Sequence, residues 1–130
     1  MKEFRVESNL RYTKDHEWIR VDGDQAWIGI TDYAQSHMGD IVYVELPEVG
    51  DEFDQGASFS SVESVKTAAD VNMPAGGTIE EVNEALADDP ALLNSDSYAN
   101  WLVRIKLSDA SELDSLMDAA AYKVFSVGEE

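Results

Sequence analysis

Glu63-Ser64-Val65-Lys66-Thr67-Ala68-Ala69-Asp70-Val71 sets a lysine between two runs of strand-forming residues. The run before it starts near Ala57 and reaches about Val65; the run after it extends from Ala68 to Met73. Four residues, Ser64 to Thr67, suffice for a type I turn, which requires neither glycine nor proline. A lysine in the central pair of that turn projects from the tip of a hairpin with its amine clear of the sheet. Tips are where an enzyme can reach a side chain and modify it. On spacing alone, a solvated lysine that only aids solubility is the commoner reading.

Outward from this hairpin the chain continues as short strands separated by turn chemistry. Ile41-Val42-Tyr43-Val44-Glu45-Leu46, rich in β-branched and aromatic residues, is the strongest strand, closed by Pro47 and Gly50. Trp18 to Val21 and Ala26 to Ile30 flank Asp22-Gly23-Asp24, a hairpin signal. Asp32 and Gln35 can cap a short helix near 32–38, with Gly39 placed to end it. Thr78 to Val82 follows the turn Pro74-Ala75-Gly76-Gly77, and Trp101 to Leu107 is a further strand. The stretch from Glu84 to Tyr98 reads as a polar loop. Asp109 and Glu112 form a capping pair for an amphipathic C-terminal helix, about 109–125, whose apolar positions are Leu113, Leu116, Met117, Ala120 and Val124. Gly39, Ile41 and Val44 repeat the spacing of Gly77, Ile79 and Val82, a weak internal echo. No linker divides the 130 residues, so the expectation is one mainly-β domain with an N-terminal tail of about 1–9.

Charge narrows the function classes. Asp and Glu number 27 against 9 Lys and Arg, a net charge of −18. Such a surface repels phosphate backbones and anionic membranes and favours protein partners with basic patches. With no cysteine, disulfide scaffolds, cysteine-based zinc sites and thiol nucleophiles are excluded, and two histidines make transition-metal sites and Ser-His triads poor. Asp22-Gly23-Asp24 lacks the ligand spacing of a calcium loop. No apolar run is long enough for a signal peptide or a membrane-spanning helix, so a cytoplasmic location is expected.

Several blocks in order carry a resemblance. Arg11-Tyr12-Thr13-Lys14-Asp15-His16-Glu17-Trp18 and Gly29-Ile30-Thr31-Asp32-Tyr33-Ala34-Gln35 open the series. Gly39-Asp40-Ile41-Val42-Tyr43-Val44-Glu45-Leu46-Pro47-Glu48-Val49-Gly50 and Val62-Glu63-Ser64-Val65-Lys66 follow. Glu81-Val82-Asn83-Glu84-Ala85-Leu86 and Pro90-Ala91-Leu92-Leu93-Asn94 complete it. Together they closely resemble the H protein of the glycine cleavage system, from about Leu10 to the C-terminal helix.

The resemblance implies a barrel-sandwich hybrid of two small antiparallel sheets with quasi-twofold symmetry, and a monomeric, non-catalytic carrier of lipoate. The lysine that bears lipoate in amide linkage falls on Lys66, and Glu63, Val65 and Asp70 would be read by the lipoate-attaching enzyme. Three enzymes would share the arm. They are a pyridoxal-phosphate glycine decarboxylase that loads an aminomethyl group, a tetrahydrofolate-dependent aminomethyltransferase, and a dihydrolipoyl dehydrogenase that restores the disulfide. A sheltering cleft for the cationic adduct is implied at Glu17, Asp70 and His37, whereas His16 reads as a structural histidine. A carrier without cysteine cannot trap its own dithiol by exchange.

Departures from the family pattern lie at Ser97-Tyr98-Ala99-Asn100-Trp101, at Pro74-Ala75-Gly76-Gly77 and at Met38. They concern loop geometry and packing. The rival readings are a lipoyl relay, another swinging-arm carrier, biotinyl or 2-oxo-acid lipoyl, an unmodified interaction module, or an enzyme using its carboxylates. Val65 and Thr67 beside the lysine fit neither of the two rival carrier patterns.

Overall fold

Gly23 (φ 66°) closes a hairpin between β2 (Glu17–Asp22) and β3 (Gln25–Ile30), which stand in full antiparallel register. The computed structural model describes residues 4–129. Strand β1 (Arg11–Tyr12) pairs with β2, and β9 (Val103–Leu107) pairs with β3. Strand β8 (Gly77–Val82) adds to β9, and the two-residue β5 (Glu52–Phe53) ends the sheet in the order β1-β2-β3-β9-β8-β5. A second sheet has the order β4-β6-β7, from β4 (Ile41–Glu45), β6 (Ser58–Ser64) and β7 (Ala68–Asn72). All pairings are antiparallel, so the mainly-β expectation holds with sheets of six and three strands.

Alternation places the core. Ala26, Ile105 and Ile79 form one inward row across β3, β9 and β8, and Val44 and Val62 pair on the small sheet. These side chains belong to a single apolar cluster that also takes in Ile19, Ile28, Ile41, Phe59, Val71, Leu86, Leu93 and Leu102. The core therefore lies between the two sheets, with side chains leaving water at roughly 25 cal/mol per Å² of apolar surface. On the opposite face of the large sheet, Arg104 donates to Glu80 and Glu81, and the Arg20 guanidinium lies over the Trp27 ring. The echoed residues Ile41/Val44 and Ile79/Val82 fall in different sheets.

Three local readings change. Helix α1 (Asp32–Met38) is capped by Thr31, one residue earlier than expected, whose hydroxyl accepts from the Ala34 amide. Asp32 instead accepts from the Gln35 amide group of its side chain. The segment from Glu84 to Tyr98 is not a plain loop. It holds two helical turns, α2 (Ala85–Asp88) and α3 (Leu92–Ser95), because Leu86 and Leu93 are drawn fully into the core.

The C-terminal helix is shorter and later than 109–125. Asp109 caps a 3-10 turn, Ala110–Ser115, and Glu112 accepts from the Gly76 amide across the fold. Met117 then exchanges both backbone hydrogen bonds with Tyr12, which interrupts any helix there. Helix α4 (Ala119–Glu129) starts only beyond it, with the Asp118 carboxylate accepting from the Ala121 amide. Its buried anchor is Tyr122, stacked on Tyr12 at 4.5 Å, whereas Val124 is exposed.

Of the expected N-terminal tail, residues 1–3 lie outside the described residues. Residues 4–9 are tied down: the Tyr98 hydroxyl donates to the Arg5 carbonyl, Arg5 pairs with Asp96, and the Tyr12 hydroxyl donates to the Glu7 carbonyl. The departing segment 97–101 is similarly anchored, the Ser97 carbonyl accepting the Trp18 indole N–H at 3.1 Å.

Candidate functional site

The β6–β7 hairpin carries Lys66 at its tip, exposed to solvent. Its turn is held by a serine. The Ser64 amide donates to the Thr67 carbonyl at 2.7 Å, and the Ser64 hydroxyl accepts from the amides of Lys66 and Thr67 at 3.3 and 3.1 Å. A short side chain that bonds its own backbone two and three residues on is the usual work of serine in turns. The Val65 amide donates to the Asp40 carbonyl, tying the tip to the residue after Gly39. A methyl group added at Gly39 would stand 3.6 Å from Cε of Lys66, so the lysine stem lies along the C-terminal end of α1.

Beside that end is a cavity of about 190 Å³. Ile30, Tyr33, Ala34, Met38, Val62 and Val71 give it apolar walls; Asp15, His16, Glu17, His37 and Asp70 supply its polar groups. The expected cleft residues Glu17, Asp70 and His37 thus come together from β2, β7 and α1. Glu63 and Val65 do not join them: both are exposed, Glu63 opposite Tyr43 on β4 and Val65 on the turn. A wider depression of about 480 Å³ lies beyond Asp70, lined by Glu45, Glu48, Asp51 and Phe53 among others. It is polar and open, so the smaller apolar cavity is the better match for the hydrocarbon arm that the resemblance implies.

Glu17 is the unusual member. It is 2% exposed, with the Thr13 hydroxyl donating to Oε1 at 2.6 Å and the Asn72 amide donating to Oε2 at 3.0 Å. Burial outweighs these two hydrogen bonds and, with some help from nearby Asp15, pushes its carboxyl up to about 7 from an ordinary 4.5. The folded chain consequently keeps a proton that the unfolded chain gives up, and stability falls as pH rises through the window from 4.5 to 7. That interval corresponds to about 3 kcal/mol, fully lost above pH 7. Glu17→Gln cannot ionise and should be nearly flat over this window. Urea midpoints at pH 5 and pH 8 check this; equal slopes for parent and variant would mean that Glu17 ionises normally.

The histidines have different places. Tyr33 is sandwiched between His16 at 4.2 Å and His37 at 4.0 Å, both rings stacked on it. His16, held at φ 68°, is hydrogen-bonded through Nδ1 to the Tyr122 hydroxyl at 2.8 Å, and that hydroxyl is hydrogen-bonded to Thr31 Oγ1 at 2.7 Å. His16 is therefore structural, as expected, while also facing the cavity; His37 is exposed at the mouth. Thr13, Tyr33 and Asn72 were not singled out by sequence reasoning. Asn72 lies 55 residues from Glu17, and no local pattern joins them.

An exposed lysine on a clamped hairpin thus stands beside a small apolar cavity with a buried carboxyl, an arrangement that suits a carrier for a tethered group. The glycine cleavage H-protein family matches residues 10–128. A glycine cleavage system H protein of a Thermoanaerobacter species is 54% identical over 120 residues, covering 92% of this chain and 95% of that one. The Halothermothrix orenii protein of the same name is 56% identical over 118 residues, covering 90% and 92%. A crystal structure of a glycine cleavage system H protein from Mycobacterium marinum superposes with a TM-score of 0.83 at 40% identity, covering 90% and 95%. The chain belongs to the glycine cleavage H-protein family: it is a lipoyl carrier of the glycine cleavage system, a carrier subunit rather than a catalyst, and lipoate is the family's covalent cofactor.

Proposed function

We propose that Lys66 is the residue that holds lipoate, in amide linkage to Nζ. The observation that carries this reading is its exposed position on a hairpin tip whose backbone Ser64 fixes. The lipoyl group supplies a disulfide that takes up and releases an aminomethyl unit. The chain's own residues do the rest. The Ser64 clamp fixes the pivot. Ile30, Met38 and Val62 offer the arm an apolar wall that excludes water, and Tyr33 with its two stacked imidazoles makes that wall rigid. Asp70 presents a carboxylate to a cationic amine, Glu17 joins it where the cation draws off its proton, and His37 stands at the mouth.

The partners in this reading are a pyridoxal-phosphate glycine decarboxylase, a tetrahydrofolate-dependent aminomethyltransferase, dihydrolipoyl dehydrogenase and a lipoate-attaching enzyme that reads Glu63, Val65 and Asp70. The net charge of −18 supports steered docking of basic partner surfaces. Similarity to bacterial chains over nearly their whole length supports a cytoplasmic place. Among the described residues no helix is long and apolar enough to cross a membrane.

Intact mass of the protein purified from its host, followed by mapping of the modified peptide, tests the reading. One lipoyl mass per chain, located on Lys66, is the expected result. A biotinyl mass, an unmodified chain, or a lipoyl group on another lysine would overturn it.

A further inference from the structure

Strand β4 carries a feature that the carrier function does not use. Its pairing with β6 slips between Ile41 and Tyr43, a bulge that adds one residue to β4. Ile41 and Val44 stay buried, at 3% each, while both residues between them turn outward, Val42 54% and Tyr43 50% exposed. A regular strand would have buried one of the two. Tyr43 stands opposite Glu63, and Glu63 stands opposite Ala68 on β7, so the row Tyr43-Glu63-Ala68 crosses the outer face of the small sheet beside the turn. Val65, 70% exposed, stands on the turn beside Lys66, and its amide is held by the carbonyl of Asp40, two residues before Val42. Exposed carboxylates stand among these residues: Glu63 across from Tyr43, Glu45 two residues on along β4, and Asp40 against the Val65 amide. Single exposed valines are ordinary on a strand, but here three large apolar residues gather beside one lysine inside an acidic rim.

We propose that Tyr43, with Val42 and Val65, is the docking platform for the enzyme that acylates Lys66; this rests on Lys66 being the attachment residue. Enzymes that act at the far end of the arm can meet it anywhere within its reach. The attaching enzyme alone must bring its activated acyl group to within about 3–3.5 Å of Nζ, and so must seat against the residues around the lysine. In that step the lysine amine, having lost a proton, attacks the acyl carbon of the lipoyl adenylate. The C–N bond forms, the C–O bond to phosphate breaks, and AMP leaves. The partner surface that fits is an apolar hollow for the tyrosine ring inside a basic rim, the arrangement of a small aromatic hot spot with screened charges around it.

The test is in vitro acylation of the full-length apo protein by a purified lipoate-attaching enzyme with lipoate and ATP. Tyr43→Ser should raise KM for the acceptor about tenfold or more while kcat changes little, and Tyr43→Phe should restore the parent KM. The side chain is half exposed, so the thermal midpoint should not move. Variant protein acylated to completion with excess enzyme should then serve glycine decarboxylase with the parent KM. A parent-like KM for Tyr43→Ser overturns the platform. Equal losses toward the attaching enzyme and the decarboxylase overturn its assignment to the former. Acylation of Lys66→Arg in the same assay would instead sink the attachment reading itself.

Discussion

Lys66→Arg should remain folded and carry no lipoyl group at all. The substitution keeps the positive charge and most of the aliphatic stem, and the side chain is exposed, so neither sheet loses a contact. The turn is held by the backbone amides of Lys66 and Thr67 on Ser64 Oγ, which do not depend on the side chain at 66. What changes is the nucleophile. A lysine amine can give up a proton and attack an activated acyl group; a guanidinium stays protonated in proteins and cannot. Co-expression with a lipoate-attaching enzyme and intact-mass measurement should show complete modification of the parent and none of the variant. Glycine cleavage reconstituted with the variant should fall to the level measured without carrier. Lipoyl mass on the variant would move the attachment point to another lysine.

Gly77→Ala should destabilise the protein by about 3 kcal/mol or more, lowering its thermal midpoint by roughly 10 °C. A Cβ at this position would stand 2.3 Å from the Lys106 carbonyl oxygen and 3.0 Å from Ile105 Cδ1. Gly77 pairs with Leu107 on one side and Phe53 on the other, so neither neighbouring strand can retreat without breaking its ladder. The clash is with backbone, which no rotamer relieves. Gly128→Ala, where nothing lies within 4 Å, is the matched control and should change stability by less than about 0.5 kcal/mol. Thermal melts of both variants decide it; a midpoint for Gly77→Ala equal to the control would show that β8 and β9 yield at this crossing.

Local chemistry made much of this legible. Residues 63–71 hold the turn of the lysine hairpin and the strand ends that flank it, and Asp22-Gly23-Asp24 marks the other hairpin, because such signals act within a few residues. What stayed hidden was set by contacts distant in sequence. The apolar spacing of Leu113, Leu116 and Met117 is helical, yet Tyr12 takes both backbone bonds of Met117 and overrides it. Leu86 and Leu93 form helical turns inside a polar stretch because the core needs them. The order β3-β9-β8 has no local mark either. At the site, the resemblance points to Glu17, Asp70 and His37; the Thr13 hydroxyl that holds Glu17 is only four residues away, but the Asn72 amide that also holds it is brought there by the packing of one sheet on the other.

The Ser64 clamp also bears on how a load is kept. With lipoate on Lys66, as proposed, a fixed pivot and a flexible tether would confine the arm's end to the neighbourhood of one cavity, at an effective concentration on the order of millimolar. A contact with a dissociation constant of about 1 mM, about 4 kcal/mol, would go unnoticed between free molecules at micromolar concentration. On this tether it is occupied about half the time. The small cavity beside α1 therefore need not grip its cargo to halve the time that it spends in water. Modest attraction suffices for residence, and a partner enzyme that offers slightly more can draw the arm away without any conformational change in the carrier.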